Sequence, residues 1–253
     1  MVAASVVPAI RRARHVVVMT GAGTSAESGV PTFREAQTGL WSQYDPLQLA
    51  TPEAFEENAA LVWDWYVWRR NKVLAAEPNA GHLALAELES LVPRLTLITQ
   101  NVDGLHQRAG SPHVIELHGS LLRARCFERG HLAATWPACV PQNPPRCDVC
   151  GGRMRPDVVW FHESLPTAAL QEAEQAVLAA DLFFSIGTSS VVYPAAGLGM
   201  LASERGATVI EINPSATPLT PHADHVLHEP SGRVLPDIIA CLRDPPGSAE
   251  SRR

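Results

Sequence analysis

The fold is decided by residues 16–34, VVVMTGAGTSAESGVPTFR. The apolar run Val16-Val17-Val18-Met19 predicts a buried strand, and the glycines that follow it predict a sharp turn into a helix. Gly21 and Gly23 are expected to adopt positive φ and to let the backbone approach a ligand closely. Helix N–H groups from about Thr24 onward would face that ligand, so the stretch predicts a phosphate-binding site.

The spacing of this turn argues against hydride transfer. It is Gly-x-Gly-x-x-Ala, whereas a dehydrogenase has Gly-x-Gly-x-x-Gly. A dehydrogenase also holds ribose with an acidic residue at the end of a strand about 20 residues further on. This sequence has no such strand end there, so the phosphate site is expected to serve another reaction.

Composition places the chain among ordinary globular proteins. Of 253 residues, 46% are hydrophobic and 18% are charged, and the formal net charge is −6. This negative charge argues against a nucleic-acid partner, and no apolar run approaches the ~20 residues of a membrane span. The first 15 residues have no signal for cleavage, so we expect a cytoplasmic protein without a membrane partner.

Short β-branched runs alternate with helical stretches, which is typical of βαβ units around a parallel sheet. The sequence therefore predicts an α/β fold. Strands are expected at Val16–Thr20, Leu95–Thr99, Val114–Leu117, Leu182–Ile186 and Val209–Ile212, and helices at Ala80–Leu91, Thr167–Ala180 and Ala195–Arg205.

Two segments interrupt the alternation and are expected to form a smaller module. Residues 46–77 are helical and rich in Trp, and residues 123–156 contain prolines and four of the five cysteines. We expect a single unit with three parts, namely a large domain of about residues 1–40, 78–122 and 157–243, a small module of about residues 41–77 and 123–156, and a flexible tail of residues 244–253.

Polar residues cluster where predicted strands end. Gln100, Asn101 and Asp103 follow the strand that ends at Thr99, and His118 follows the next strand. This edge of an open parallel sheet is where ligands bind, and an imidazole pKa of about 6.5 suits a general base. Taken singly, Asn101 and Asp103 are typical turn formers, and a lone histidine more often only makes structural hydrogen bonds.

Taken together, the motifs resemble the sirtuin family of NAD-dependent protein-lysine deacylases. The resemblance covers about residues 13–242 and rests, in chain order, on residues 21–34, residues 99–110, Glu116-Leu117-His118-Gly119, a Cys-x-x-Cys pair and Gly187-Thr188-Ser189. It implies a Rossmann-like sheet with helices on both faces and a smaller helical and zinc-ribbon-like module. NAD and an acylated-lysine protein or peptide would meet in the cleft between the two.

The resemblance implies that NAD is consumed as a co-substrate. The acyl oxygen attacks the ribose carbon that bears nicotinamide, nicotinamide leaves, and the acyl group passes to ADP-ribose. His118 would accept a proton from ribose, and Asn101 completes the expected catalytic pair. The implied cofactor contacts are Gly21, Ala22, Gly23, Thr24, Ser25, Phe33, Arg34, Gln100, Asn101, Asp103, Gly187, Thr188, Ser189, Asn213 and Ser231.

A predicted helix around residues 63–70 bears on the acyl group. Tyr66 and Arg69 share a helical stripe that is otherwise mostly apolar. A guanidinium there must reach solvent, pair with a carboxylate of the protein or bind an anionic ligand. Tyr66-x-x-Arg69 matches the pair with which one sirtuin class recognises succinyl-, malonyl- or glutaryl-lysine. The resemblance thus implies a dicarboxylic acyl substrate, with acetyl-lysine also accepted.

The peptide is expected to lie as an extended strand between residues 159–163 and residues 189–193. By resemblance, Val159, Phe161 and Val191 would contact it. The family usually has glycine where this chain has His162, whose side chain either narrows the groove or points to solvent.

The Cys-x-x-Cys-Gly-Gly sequence of residues 147–152 is half of a zinc site. The family has a second Cys-x-x-Cys upstream, but Cys126 is followed by Arg129 at the matching position. Either Cys139 or His131 would have to complete the site. We expect one structural zinc ion, without a catalytic role, bound by Cys126, Cys147, Cys150 and Cys139.

Two other functions remain open from the sequence. The same cleavage of NAD would serve a protein ADP-ribosyltransferase, and a non-catalytic regulatory module would need only the dinucleotide-binding turn. The presence of Asn101, Asp103 and His118 together with Tyr66 and Arg69 favours deacylation.

Overall fold

The structure is a computed structural model that describes residues 2–30, 45, 49–137 and 143–243, with only the backbone given for residues 2 and 3. The predicted tail of residues 244–253 lies outside the described residues. The helices are α1 (Val2–Arg12), α2 (Gly23–Ala26), α3 (Pro52–Glu57), α4 (Ala59–Ala75), α5 (Ala80–Leu91), α6 (Leu105–Arg108), α7 (Thr167–Leu178), α8 (Gly197–Glu204) and α9 (Ser231–Arg243). The strands are β1 (Val16–Thr20), β2 (Leu95–Thr99), β3 (Val114–Glu116), β4 (Gly119–Cys126), β5 (Met154–Val158), β6 (Leu182–Ile186), β7 (Thr208–Ile212) and β8 (His225–Leu227).

Six strands form one parallel sheet in the order β3-β2-β1-β6-β7-β8, which confirms the predicted α/β fold. Val16 at the start of β1 aligns with Leu95 of β2 on one side and with Leu182 of β6 on the other. The strand order reverses between β1 and β6, and open α/β sheets bind ligands at the carboxyl ends of strands at such a point.

Helices cover both faces of the sheet, as predicted. Side chains alternate along β1, so Val16 and Val18 pack into one apolar cluster with residues of α1, α5 and α9. Val17 and Met19 pack on the other face with residues of α7 and α8. All five residues of β1 are buried, which explains why this strand is a continuous apolar run rather than an alternating one.

A second, two-stranded sheet belongs to the smaller part of the chain. Strands β4 and β5 pair antiparallel, with an irregular register between Ser120 and Ala124. Leu121 and Val158 of this pair pack with aromatic residues of α3 and α4, including Phe55 and Trp65. The predicted boundaries near residues 122 and 156 fall inside β4 and β5, and the division into two parts stays a prediction.

Several elements differ from the sequence predictions in extent. Strand β3 ends at Glu116, α7 ends at Leu178, and α8 spans only Gly197–Glu204. The residues before α8 form tighter turns, because the N–H of Gly197 bonds the carbonyl of Pro194 and that of Leu198 bonds Ala195. From the sequence, no element was assigned at α1, α6, β4, β5, β8 or α9. Within the described part of the chain, no helix is long and apolar enough to cross a membrane.

Candidate active site

The glycine-rich turn after β1 interlocks with the loop after β6. The N–H of Gly21 donates to the carbonyl of Ile186 at 3.0 Å, and the N–H of Gly23 donates to that of Gly187 at 2.8 Å. A Cβ at either Gly21 or Gly23 would lie 2.8 Å from Gly187 or Thr188. The predicted positive φ of these two glycines is wrong; Gly187, which they contact, is left-handed, with φ of 58°. These glycines therefore let two loops approach each other at the switch point.

The helix that follows the turn is a single short turn, α2, rather than the longer helix expected from the sequence. Its N-cap, Ala22, makes no side-chain capping bond, and Thr24 uses its hydroxyl to donate to the carbonyl of Ile186 at 3.2 Å. The predicted cofactor residues Phe33 and Arg34 lie outside the described residues.

Ser25 connects three polar groups beneath this turn. Its hydroxyl donates to Oδ2 of Asp103 at 2.7 Å and accepts a hydrogen bond from Nδ2 of Asn101 at 3.1 Å. Nε2 of His82 lies 3.3 Å from the same oxygen. Because Nδ1 of His82 accepts from the N–H of Asn79, Nε2 carries the proton and donates to Ser25. The structure thus brings together three predicted site residues and one, His82, that the sequence did not indicate.

Burial shifts the pKa values of two members of this network, Asp103 and His82. Burial raises the pKa of Asp103, and the N–H of Leu105 and the hydroxyl of Ser25 oppose that shift. Burial also lowers the pKa of His82 to about 4, so its ring is neutral at pH 7. The imidazole therefore acts here as a hydrogen-bond donor and not as a cation.

A second buried chain joins the ends of β1 and β2. Thr20 and Thr99 align in register, and the hydroxyl of Thr20 donates to that of Thr99 at 2.8 Å. Nε2 of His106 lies 2.9 Å from Thr20, and its ring centroid is 4.8 Å from that of His82. Burial and the neighbouring His82 lower the pKa of His106 to about 3. In the sequence, this series of hydrogen bonds is indicated by the threonine that ends each of the two neighbouring strands, β1 and β2.

His118 has the tautomer that a general base requires. Its Nδ1 lies 2.9 Å from the carbonyl of Gln100. A carbonyl can only accept, so Nδ1 carries the proton and Nε2 keeps its lone pair. Burial lowers the pKa of His118, although the bond to Gln100 opposes the shift, and the ring is neutral at pH 7. Nε2 of Gln100 donates to Thr188 at 2.9 Å, which ties this loop to the one after β6.

The remaining predicted cofactor residues lie along the same edge of the sheet. Asn213 follows β7 and donates its N–H to the carbonyl of Leu227, and Ser189 is exposed after β6. Ser231 begins α9, and its buried hydroxyl has no partner among the described residues; the same is true of Ser190. Together with the free lone pair of His118, these hydroxyls leave hydrogen-bonding capacity that fits a ribose-containing cofactor such as NAD.

Four side chains of the smaller part form a metal-type cluster. The sulfur atoms of Cys126, Cys147 and Cys150 and a ring nitrogen of His131 lie within 4.8 Å of one another. Three thiols and one imidazole are a donor set that suits Zn²⁺ in a closed structural site. Among the described residues the fourth member is His131, and the predicted ligand Cys139 lies outside them.

The turn after β4 explains why His131 completes the cluster. The N–H of Cys126 donates to the carbonyl of His131 at 2.8 Å, so the chain folds back next to the cysteine that it has just left. In the second half of the cluster, backbone N–H groups of Val149 and Cys150 lower the pKa of Cys147 to about 6. A thiol that ionises this readily is a good ligand for a metal ion.

Comparison with known proteins agrees with this geometry. The model of the Sir2 family matches residues 21–194 of the chain. The chain belongs to the Sir2 family. It is 52% identical over 242 residues to the NAD-dependent protein deacylase of Methylococcus capsulatus, with 92% of this chain and 94% of that protein covered. It is 50% identical over 234 residues to the NAD-dependent protein deacylase of Aquifex aeolicus, covering 92% and 98%. It also superimposes on a crystal structure of a Sir2 homolog–NAD complex with a TM-score of 0.89, at 47% identity and with 94% and 93% covered.

In this Sir2 family member, Tyr66 and Arg69, the pair predicted to recognise the acyl group, lie close together. Tyr66 is buried, and burial raises its pKa to about 12, so the phenol remains protonated and can donate. Cζ of Arg69 lies 5.9 Å from the centroid of the Tyr66 ring and 4.9 Å from that of Trp65. Burial lowers the pKa of Arg69, yet a guanidinium keeps its charge near neutral pH. The ring of Trp160 stacks on Tyr66 with 6.1 Å between centroids.

The two predicted peptide loops expose apolar side chains. Phe161 and Val191 are exposed, and Val159 donates its N–H to the carbonyl of His118 at 2.9 Å. His162 has a φ of 70°, a left-handed conformation that favours glycine. Its Nδ1 lies 3.3 Å from Oε2 of Glu53 on α3, so the imidazole pairs with an exposed carboxylate of the smaller part.

A buried ion pair that the sequence did not indicate supports the first of these loops. Both Nη atoms of Arg155 contact the carboxylate of Glu163, at 2.5 and 2.8 Å, and Nη2 also donates to the carbonyl of Val158. Glu163 in turn accepts the N–H of Trp160 at 2.8 Å. Burial raises the pKa of Glu163, but Arg155 outweighs that effect and the pKa is lowered. No motif marks Arg155, because it lies in β5, whose sequence Met-Arg-Pro-Asp-Val has no recognisable strand pattern.

Proposed function

We propose that this chain removes acyl groups from lysine side chains of proteins in an NAD-dependent reaction. The observation that carries this proposal is the tautomer of His118, whose Nδ1 bonds the carbonyl of Gln100 and whose Nε2 is left as a base. Through Gln100 and Thr188, His118 is linked to the loop after β6 at the switch point of the sheet. The chain is about half identical to proteins named NAD-dependent protein deacylases.

Bound NAD would supply the ribose that takes up the acyl group while nicotinamide is released. Nε2 of His118 would accept a proton from a ribose hydroxyl, since the neutral ring has its lone pair available. Asn101 would orient the cofactor, with its side chain fixed by Ser25. Gln100 and Thr188 would hold the two loops on either side of it in place.

The acyl group is proposed to be dicarboxylic, with succinyl- and malonyl-lysine as the preferred substrates. A protonated phenol and a guanidinium within one apolar cluster suit a carboxylate, because both are hydrogen-bond donors and one is a cation. Acetyl-lysine would still bind without using this pair. The exposed Phe161 and Val191 support an extended peptide of an acylated protein between their loops. The cytoplasmic location inferred from the sequence remains a prediction.

One assay tests these statements together. The purified protein is incubated with NAD and with matched succinyl-lysine or acetyl-lysine peptides, and the products are identified by mass spectrometry. Free lysine peptide, nicotinamide and acylated ADP-ribose in equal amounts are expected, faster with the succinyl peptide. An ADP-ribosylated protein would instead identify a transferase. Unchanged NAD and peptide would identify a non-catalytic dinucleotide-binding module.

The matched control for this assay is His118→Gln. Glutamine can keep a hydrogen bond to the carbonyl of Gln100 but cannot accept the proton, so product formation should fall by at least about 100-fold. Binding of the acyl peptide, measured by fluorescence polarisation, should remain. A variant that keeps full activity would remove His118 from the proposed chemistry.

A further inference from the structure

A cleft of about 510 Å³ lies outside the predicted NAD site, between the edge of the large sheet and the smaller part of the chain. Its walls come from β3, from the pair β4 and β5, and from the start of α7. The charged residues that line it are Glu116, Arg123, Arg125, Asp157 and Glu172. Among the residues proposed above to contact NAD or substrate, the cleft includes only Val159.

Among the charged residues on the strands that line the cleft, the guanidinium groups are more exposed than the carboxylates. The side chains of Arg123 and Arg125 are 47% and 32% exposed, whereas those of Glu116 and Asp157 are 13% and 16% exposed. Both carboxylates are already engaged. Arg123 reaches Glu116 through Nη1 at 2.7 Å and Asp157 through Nε at 3.0 Å. Gln107 donates to the second oxygen of Glu116 at 2.9 Å.

The two arginines keep hydrogen-bond donors available. Nη2 of Arg123 has no partner in the part of the chain that the structure describes. The carboxylates nearest to Arg125, those of Asp157 and Glu163, lie at 3.8 Å, which is beyond hydrogen-bond distance. A cleft with open guanidinium donors and engaged carboxylates suits a carboxylate ligand. The remaining lining charge, Glu172, is an exposed carboxylate on α7 that would oppose such a ligand.

The cleft borders the loop that is proposed to contact the peptide. Val159 lines the cleft and begins the loop of residues 159–163. Gly119, the neighbour of His118, also lines it, and Arg125 approaches Glu163 at the end of the same loop. A side chain that flanks the acyl-lysine in an extended peptide could therefore turn from the groove into the cleft.

We propose that this cleft is a subsite for an aspartate or glutamate side chain that flanks the acyl-lysine in the protein substrate. The proposal rests on the proposed function. Partly exposed ion pairs contribute about 0.2–1 kcal/mol, which corresponds to an increase in affinity of roughly 1.4- to fivefold. The subsite would thus select among acylated lysines by sequence context without taking part in the chemistry.

The test uses acyl-lysine peptides that carry either Asp or Asn at one position, scanned over three positions on each side of the lysine. With wild-type protein, Asp should lower KM about 1.4- to fivefold at one or more positions and leave kcat unchanged. The preference should shrink in 0.5 M NaCl, because salt screens partly exposed charges. Equal KM values for Asp and Asn at every position would overturn the proposal.

Two substitutions should change the preference in opposite directions. Arg123→Gln removes the open donor Nη2 and should abolish the preference for the Asp peptide. Glu172→Gln removes the opposing carboxylate and should increase that preference. Glu172 is exposed, so this variant keeps the test decisive if the first one does not fold. Arg233→Gln, an exposed surface arginine on α9 paired with Glu229, is the matched control and should change nothing. A preference that persists in Arg123→Gln would contradict the subsite.

Binding of the same peptides, labelled and without NAD, separates the subsite from the activity. If no peptide is deacylated, the proposed function fails, but dissociation constants from fluorescence polarisation still compare Asp with Asn. Tighter binding of the Asp peptide that is lost in Arg123→Gln would uphold the subsite alone. Binding of neither peptide would overturn it.

Discussion

The hydroxyl of Ser25 lies 2.7 Å from Oδ2 of Asp103, although the two residues are 78 positions apart in the chain. This bond joins α2, which follows β1, to the loop after β2. The same oxygen of Ser25 accepts bonds from Asn101 and His82, so one hydroxyl satisfies three buried groups. The residues expected to bind the cofactor are therefore held by each other before any ligand arrives.

Ser25→Ala should lower both stability and activity. It leaves polar atoms of Asp103, Asn101 and His82 buried without this partner, and an unsatisfied buried group costs about 1–3 kcal/mol. We expect a loss of that size in urea unfolding and a reduced kcat/KM. Ser90→Ala, which removes an exposed hydroxyl on α5, is the control. Equal unfolding midpoints for the two variants would show that Ser25 is dispensable.

Tyr66→Phe combined with Arg69→Met should change the acyl preference. Hydrogen bonds to a charged group contribute about 1.5–3 kcal/mol, so kcat/KM for a succinyl peptide should fall at least about tenfold. The value for the matched acetyl peptide should change little, because a neutral acyl group has no carboxylate to bind. Initial rates with both peptides measure the ratio. Desuccinylation that survives the double substitution would refute the assignment.

The pH dependence of the reaction should report His118. Its pKa is lowered by burial, and the base must be neutral, so the midpoint of the decline in kcat/KM toward acid should lie below pH 6.5. An exposed histidine would already be half protonated at about pH 6.5. A profile of kcat/KM between pH 5 and 8 measures the midpoint. A midpoint above 7 would be incompatible with the buried neutral ring.

Stability should fall in acid because His82 and His106 are buried in neutral form. Their folded pKa values, about 4 and about 3, lie below the unfolded value of 6.5, so the unfolded chain binds more protons in this window. Each histidine then lowers the free energy of unfolding by up to about 1.4 kcal/mol per pH unit below 6.5.

His106→Gln should reduce that slope, and His113→Gln, at an exposed position, should leave it unchanged. Urea unfolding at pH 7, 6 and 5 gives the slope for each variant. If the free energy of unfolding of the wild type and of His106→Gln falls with the same slope against pH, the proton uptake occurs at other groups.

The large sheet was predictable because parallel strands that are buried on both faces read as continuous apolar runs, as in Leu182–Ile186. Strand β5, with the sequence Met-Arg-Pro-Asp-Val, could not be recognised, since its charged residues are satisfied by distant partners such as Glu163. The short strand His225–Leu227 was missed because three residues carry no pattern.

The site residues likewise divide into those that the sequence indicated and those that it did not. Asn101, Asp103 and His118 follow strand ends and belong to motifs that could be identified in the sequence. His82 lies on α5, far from those motifs in the chain, and only the packing of that helix places it 3.3 Å from Ser25. A contact between residues that are far apart in the chain leaves no pattern in the local sequence.

Two variants should differ in zinc content and thermal stability, according to which residue is the fourth metal ligand. His131→Ala removes a member of the cluster, whereas Cys139→Ser removes the cysteine that the sequence favoured. Because zinc binding contributes directly to the stability of such sites, His131→Ala should lose most of its zinc and unfold at lower temperature, while Cys139→Ser should retain one zinc ion per chain. Metal content by mass spectrometry and thermal unfolding with and without a chelator measure both effects. Zinc lost from Cys139→Ser and retained in His131→Ala would assign the ligand to the cysteine, because a closed site needs four donors and the chain would then supply all of them as thiols.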